Sequence, residues 1–234
     1  MKANLLVIDP PYPFADKLRH SSVKRGSESQ YKSVMSDKDI LALDIKSIAA
    51  DDSLLALWCP SAYLDLGLQC VKNYGYRTVQ SWIWVKTKKH PLSSLIKHIF
   101  KSVRKITNFK SFKKQTVEII NSFNINEILS FFMGHYFRQT HEIVLIGVRG
   151  KMASKVQDKS QRSVFLGPIG RHSEKTEALQ DMLDKMFTDE NIGVGKKIEL
   201  FARRDRPGWR CFGNENKSTI GEEIRDSIEK LKNE

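Results

Sequence analysis

Cysteine is scarce in this chain and badly spaced for structural work. Cys59, Cys70 and Cys211 stand far apart with no CxxC pair. Neither a zinc site nor a disulfide framework is expected, and no metal is assigned. Long apolar runs are missing as well, since none approaches the roughly 18 residues that a membrane span requires. The amino terminus offers one lysine and a short apolar run that stops at Asp9, too little for a signal-peptide core. These absences predict a soluble, cytoplasmic chain with free thiols and no membrane among its partners. A glycine-rich nucleotide loop is also lacking. Gly193-Val194-Gly195-Lys196 falls short of the phosphate-loop spacing and leads into a strand rather than a helix. There is no internal repeat.

Acid is absent locally. Between Lys86 and Lys114 stand Lys86, Lys88, Lys89, Lys97, Lys101, Arg104, Lys105, Lys110, Lys113 and Lys114, with no Asp or Glu among them. The whole chain carries 39 Lys and Arg against 27 Asp and Glu, a net charge of +12, so one segment holds most of the excess. A polyanion, nucleic acid first, is the partner such a footprint suits. At 234 residues the chain is expected to form one domain with a real core.

What is present begins with Leu5-Leu6-Val7-Ile8-Asp9-Pro10-Pro11-Tyr12. Four consecutive apolar residues read as a buried, parallel-type strand. Asp9 then sits at the strand's carboxyl end, where open α/β sheets place their ligands. The two prolines forbid helix and stiffen the loop, with both neighbouring carbonyls expected as free acceptors. A carboxylate, free carbonyls and a flat ring suit a planar group that donates hydrogen bonds, such as the amine of a nucleobase.

Further along, residues 13–35 read as a loop that could close over a substrate. Ser36 and Asp39 form a capping box ahead of Ile40, Leu41, Leu43, Ile45 and Ile48. Strands are predicted over 53–59 and 79–85, with a helix over 63–74 between them that Gly75 stops. This alternation argues for βαβ units and a mostly parallel sheet with helices on both faces. In residues 87–133 the rhythm breaks. Leu95, Ile96, Ile99, Phe100 and Val103 share one helical face, and Lys97, Lys101, Arg104 and Lys105 fall largely elsewhere. Two more amphipathic stretches follow, around Val117–Phe123 and Ile128–Phe132, so the segment reads as a basic helical insertion. Its cations could track phosphates, though such a helix also suits a membrane surface or a partner protein. Residues 142–148 form a buried strand, Leu179 to Phe187 a helix, and 197–202 the last clear strand. The tail residues Ile220, Ile224, Ile228 and Leu231 make the seam of a closing helix over 216–234.

Three separated stretches fit one pattern. They are Asp9-Pro10-Pro11-Tyr12, the tract from Arg138 to Gly150, and Ile198-Glu199-Leu200-Phe201-Ala202-Arg203 with Gly208-Trp209 and Gly213-Asn214-Glu215 downstream. Together they resemble the MT-A70 family of S-adenosylmethionine-dependent adenine methyltransferases. That family holds the eukaryotic messenger-RNA adenine methylases and DNA-methylating relatives from bacteria and phages. The resemblance covers most of residues 4–215, with 87–133 set apart. The family's motif most often ends in Trp, where Tyr12 keeps a π face. Its inactive partner subunits lose the motif that this chain keeps.

The resemblance implies a Rossmann-like methyltransferase fold over 1–215 with the catalytic motif first. It also implies methyl transfer from S-adenosyl-L-methionine to the 6-amino group of adenine. DNA is the expected substrate, with RNA, or a non-catalytic partner role, as the alternative. Asp9 and the Pro10 carbonyl would hold the amine, Pro11 would stiffen the loop and Tyr12 would stack on the base. The backbones of Val7 and Ile8 would meet the cofactor's adenine, Arg149 its carboxylate, and Arg203, Asn214 and Glu215 its ribose. Lys97, Lys101, Arg104 and Lys105 are the expected nucleic-acid contacts. His141 and Glu142 would organise the site. A homodimer or heterodimer and a restriction endonuclease partner are compatible with it. So is a bacterial or phage-infected cytoplasm, or a nucleus in a eukaryote.

Overall fold

The computed structural model describes residues 2–13, 34–104, 112–134, 136–170 and 174–234. Lys105, most of the expected closing loop, and Arg171, His172 and Ser173 lie outside the described residues. In chain order the elements are β1 (Ala3–Ile8), α1 (Asp37–Leu41), α2 (Ile45–Ile48), β2 (Ala49–Cys59), α3 (Leu64–Asn73), β3 (Arg77–Thr87), α4 (Pro91–Val103) and α5 (Phe112–Asn121). They continue with β4 (His141–Arg149), β5 (Val164–Pro168), α6 (Ala178–Met186), α7 (Asp189–Ile192), β6 (Lys197–Leu200), β7 (Arg210–Phe212) and α8 (Ile224–Asn233). The strands make one seven-stranded sheet in the order β5-β3-β4-β2-β1-β6-β7. It is mostly parallel, as the strand–helix alternation predicts, with β2 and β4 antiparallel. This is a Rossmann-like α/β architecture. Among the described residues no helix is long and apolar enough to cross a membrane.

The chain divides into two compact units. The first comprises Met1–Trp82, Ile143–Ser163 and Leu179–Glu234. Every residue of β1 is buried, because parallel neighbours flank the strand and apolar side chains cover it. Leu6, Ile8, Leu55, Leu57, Ile198 and Leu200 pack with Ile40, Ile45, Ile48, Val71 and Tyr74 from the helices. Each such aliphatic side chain contributes about 2 kcal/mol by leaving water. The Ser36 hydroxyl accepts from the Asp39 N–H at 3.2 Å and donates to its carboxylate at 2.5 Å, capping α1 as the sequence suggests. In α8, Ile224, Ile228 and Leu231 are buried. Ile220, expected in the same seam, is exposed because it precedes the helix.

The second unit comprises Ile83–Glu142 and Val164–Ala178. Ile83 to Thr87 pair in parallel with β5, a short strand that the sequence does not announce. Helices α4 and α5 hold one another through His98, whose ring meets Phe123 at 5.5 Å and whose Nε2 lies 3.1 Å from the Ser122 hydroxyl. Leu95, Ile99 and Val103 are half-buried, but Ile96 and Phe100 stand exposed with Lys97, Lys101 and Arg104. The single apolar face expected of this helix is therefore split. The third stretch, expected as helix, is a 3-10 turn at Ile125–Ile128 followed by extended chain along β3. Apolar residues at 128, 129, 131 and 132 form too short a run to separate the two periods.

Candidate active site

In the first unit β1 lies between β2 and β6 and delivers Asp9 to the sheet's carboxyl edge. The Asp9 N–H extends the ladder toward the Leu200 carbonyl at 3.5 Å. The Tyr12 N–H then donates to the Pro10 carbonyl at 2.9 Å, so the double proline makes a tight reversal. The Met35 N–H takes the Pro11 carbonyl at 3.2 Å. Both carbonyls, expected free, thus carry one backbone bond and keep a single lone pair for a ligand.

The same reversal corrects the reading of Tyr12. It folds the ring back into the core, where it is 3% exposed. The ring centroid lies 5.1 Å from that of Tyr63, and the hydroxyl donates to the Trp58 carbonyl at 2.9 Å. Burial pushes the phenol far above its ordinary value, with Cys59 adding to the effect. Tyr12 pins the loop after β1 to the end of β2 and does not offer a stacking face.

Glu199 is the residue that sequence reasoning passed over. It stands beside Val7 on one side and Cys211 on the other, across three parallel strands. Side chains alternate along a strand, so Val7 and Asp9 share a face and Glu199 lies diagonal to Asp9. Burial pushes the Glu199 carboxyl up to about 7. A hydrogen bond from Gln180 and the charge of Arg204 oppose the rise, and Asp9 adds to it. Gln180, on α6, is buried, and its Oε1 finds no donor. A carboxyl raised toward neutrality by burial, with the charge of Asp9 adding to the rise and an unsatisfied amide oxygen on α6, makes this a candidate site. Its sequence signal was an acid set between the buried Ile198 and Leu200.

The turn after β6 is strained at Phe201, whose φ is 63°, a conformation that costs a bulky residue energy. Ala202 then donates to the Phe212 carbonyl at 2.9 Å. Gly213 packs so closely that a Cβ there would come within 2.2 Å of the Ala202 carbonyl oxygen. This contact joins the loops after β6 and β7, leaving Arg203 Nε 3.6 Å from Glu215. Asn214 lies in the same loop, its carbonyl accepting from the Gly221 N–H at 3.0 Å. The structure thus gathers Arg203, Asn214 and Glu215.

Two other expected cofactor contacts are corrected. Arg149 pairs with Ser53 at the start of β2, whereas Ile143 pairs with Cys59 at its end. Because β4 is antiparallel, its last residue reaches the edge opposite Asp9, where Arg149 meets Asp51 at 3.1 Å. Val7 and Ile8 lie inside a central strand whose two edges carry ladders to β2 and β6. Their peptide groups belong to the sheet.

In the second unit Lys97, Lys101 and Arg104 are exposed on α4. Glu142, expected as an organising residue, binds Lys86 at 2.5 Å and Lys175 at 3.1 Å. Burial alone would raise the Glu142 carboxyl, but Lys175 and Lys86 outweigh it and hold it below its ordinary value. Among the described residues no cluster of His, Cys, Asp or Glu could hold a metal ion.

The MT-A70 family model matches residues 3–98 and 100–215. The match runs through the basic segment, broken only at residue 99, so the 87–133 segment is matched along with its flanks. An Arabidopsis thaliana relative named "N(6)-adenosine-methyltransferase MT-A70-like" is 22% identical over 90% of this chain, which spans 23% of that protein. "Type II methyltransferase M.MunI" of Mycoplasma sp is 24% identical over 92% of this chain and 78% of its own length. The Drosophila melanogaster "N(6)-adenosine-methyltransferase non-catalytic subunit METTL14" is 25% identical over 76% of this chain and 38% of its own.

Proposed function

Since the chain belongs to the MT-A70 family, we propose that it methylates the 6-amino group of adenine in DNA, with S-adenosyl-L-methionine as donor. The observation that carries this reading is Asp9 at the carboxyl edge of a central parallel strand, diagonal to the half-buried Glu199. The match to the Mycoplasma type II methyltransferase over 92% of this chain supports DNA, and the match to the plant adenosine methyltransferase over 90% keeps RNA as the alternative.

The adenine amine is a weak nucleophile because its lone pair is delocalised into the ring. Asp9 accepts a hydrogen bond from one N–H, and the remaining lone pair of the Pro10 carbonyl accepts from the other. Two acceptors below the ring plane draw the nitrogen toward a tetrahedral shape and localise its lone pair. As the new nitrogen–carbon bond forms, the methyl–sulfur bond would break, its electron pair leaving with a neutral thioether, and the excess proton on nitrogen sits within reach of Asp9. Tyr12 and the two prolines hold the acceptors in place.

The residues fit the donor. Its ribose presents hydroxyl donors, and the unsatisfied Gln180 Oε1 is an acceptor in want of one, with the Glu199 carboxyl beside it. Arg203, Asn214 and Glu215 supply further polar groups on the β6–β7 side. When bound, S-adenosylmethionine supplies an electrophilic methyl group. Lys97, Lys101 and Arg104 bind phosphates of the polymer.

The test is incorporation of labelled methyl groups from S-adenosylmethionine into duplex DNA, single-stranded DNA and RNA, followed by nucleoside analysis. The reading requires 6-methyladenine in DNA. Incorporation only into RNA moves the substrate, and none into any polymer removes the enzyme reading in favour of a non-catalytic role.

A further inference from the structure

In the second unit Lys86 anchors a hairpin that the methyl-transfer chemistry leaves unused. The Ser130 N–H donates to the Lys86 carbonyl at 2.9 Å, and the Lys86 N–H donates to the Thr140 carbonyl at 2.7 Å. Both legs of the hairpin are therefore bonded to one residue of β3. Between them Phe132 and Gln139 exchange backbone hydrogen bonds of 2.9 and 3.0 Å. The tip is tight: a Cβ at Gly134 would fall 2.3 Å from the Phe137 carbonyl oxygen. Arg138 curls back to the Gly134 carbonyl at 3.4 Å.

The base of the hairpin is fixed by side chains too. Lys86 is 4% exposed, its ammonium 4.1 Å from the centroid of the Phe132 ring and bound to Glu142, which also holds Lys175. A buried, paired cation of this kind has one geometry.

The tip is the reverse. Tyr136 is 93% exposed, Phe137 84% and Met133 77%. Apolar surface of this size on a rigid support marks a contact site. The charge of this unit selects the contact, with Arg138 at the tip itself. Lys88, Lys89, Lys97, Lys101, Arg104, Lys114 and Arg138 are exposed in this unit. The acids of the unit are fewer: Glu118, Glu127, Glu174, Glu177 and the already paired Glu142. Flat rings interleaved with cations are what stacks bases and neutralises phosphates.

We propose that Tyr136, Phe137 and Arg138 form a base-stacking finger for the nucleic-acid substrate, held in position by the Lys86–Glu142–Lys175 cluster. This rests on the nucleic-acid-methylating function proposed above. The finger grips bases of the bound polymer, and Lys86 and Glu142 act as its positioning residues. Stacking is indifferent to base identity, so the finger adds affinity without a sequence preference of its own.

The experiment measures binding of the full chain to a fluorescently labelled oligonucleotide across a salt series. It compares wild type with a variant carrying Tyr136→Ala and Phe137→Ala, and with one carrying Tyr136→Trp and Phe137→Trp. The alanine variant should bind at least about tenfold more weakly, with an unchanged slope of log affinity against log salt, because no phosphate contact is lost. The tryptophan variant should bind like wild type. Unchanged affinity in the alanine variant overturns the finger while leaving the proposed function standing. So does a weakened variant whose mass by sedimentation is lower than wild type, which makes the tip a protein interface. Wild type that binds no nucleic acid overturns both readings together.

Discussion

The two units spend their apolar and charged residues in opposite ways. In the first, the apolar residues build one core, and the acid of interest, Glu199, is half-buried and diagonal to Asp9. In the second, the buried charges are a matched set, while rings and cations face water. Among the described residues, every exposed large apolar side chain except Leu68, Val79, Val194 and Ile220 belongs to the second unit. Positioning chemistry needs groups whose geometry is over-determined, and a sheet edge supplies that. Gripping a polymer needs accessible rings and cations on a firm support.

The largest expected effect breaks the first unit's side of this contrast. Asp9→Ala should lower single-turnover methyl transfer at least about 100-fold. The melting temperature should hold within a degree or two, because Asp9 is only half-buried. A large drop in melting temperature would instead make Asp9 a structural acid.

Next comes the second unit's buried charge. Glu142→Ala leaves Lys86 in the interior without its partner, and removing one member of such a pair costs about 3 kcal/mol. Denaturant titration should show the loss. The carboxyl is held low, so its stabilising contribution is present at neutral pH and fades as the pH falls through its folded value. Pairing Glu142→Leu with Lys86→Met should restore most of the stability, since the buried cation is then gone and Lys175, half-buried, can turn to water.

Glu199 should show the opposite sign. Its folded value near 7 lies above the ordinary 4.5, so the native state holds the proton more tightly. Its contribution is full at low pH and is lost as the pH rises from about 4.5 to 7, by up to about 3 kcal/mol. Stability of Glu199→Gln followed by thermal melts should fall less over that range than wild type. Parallel curves would mean that Glu199 is ionised in the native state.

The smallest effect concerns α4. Replacing Lys97, Lys101 and Arg104 together by alanine should flatten the salt dependence of binding by between about 1 and 3 in slope. An unchanged slope would reassign this face to a partner protein or a membrane surface.

Much of this was legible in the chain. An apolar run that ends at an acid and two prolines marks β1 and Asp9, and the capping box at Ser36 marks α1. Arg149 was misplaced because an apolar run reads alike in both directions. Only the connection through the second unit turns β4 antiparallel and carries its end away from Asp9. Tyr12 was misread because its identity gives a ring but not the reversal at Pro10 that buries it. Glu199 needed Gln180, nineteen positions earlier, to become visible as a site. The finger was hidden because Lys86 and Glu142 meet only once β3 and β4 have formed.

The central claim is that one unit performs the chemistry and the other holds the polymer. It is tested most directly by steady-state methyl transfer against increasing DNA, comparing wild type, Asp9→Ala and the Lys97, Lys101 and Arg104 triple variant. The account predicts that Asp9→Ala lowers kcat with little change in KM for DNA, and that the triple variant raises KM with kcat nearly intact. A triple variant that loses kcat at saturating DNA, or an Asp9→Ala variant that changes only KM, would contradict it.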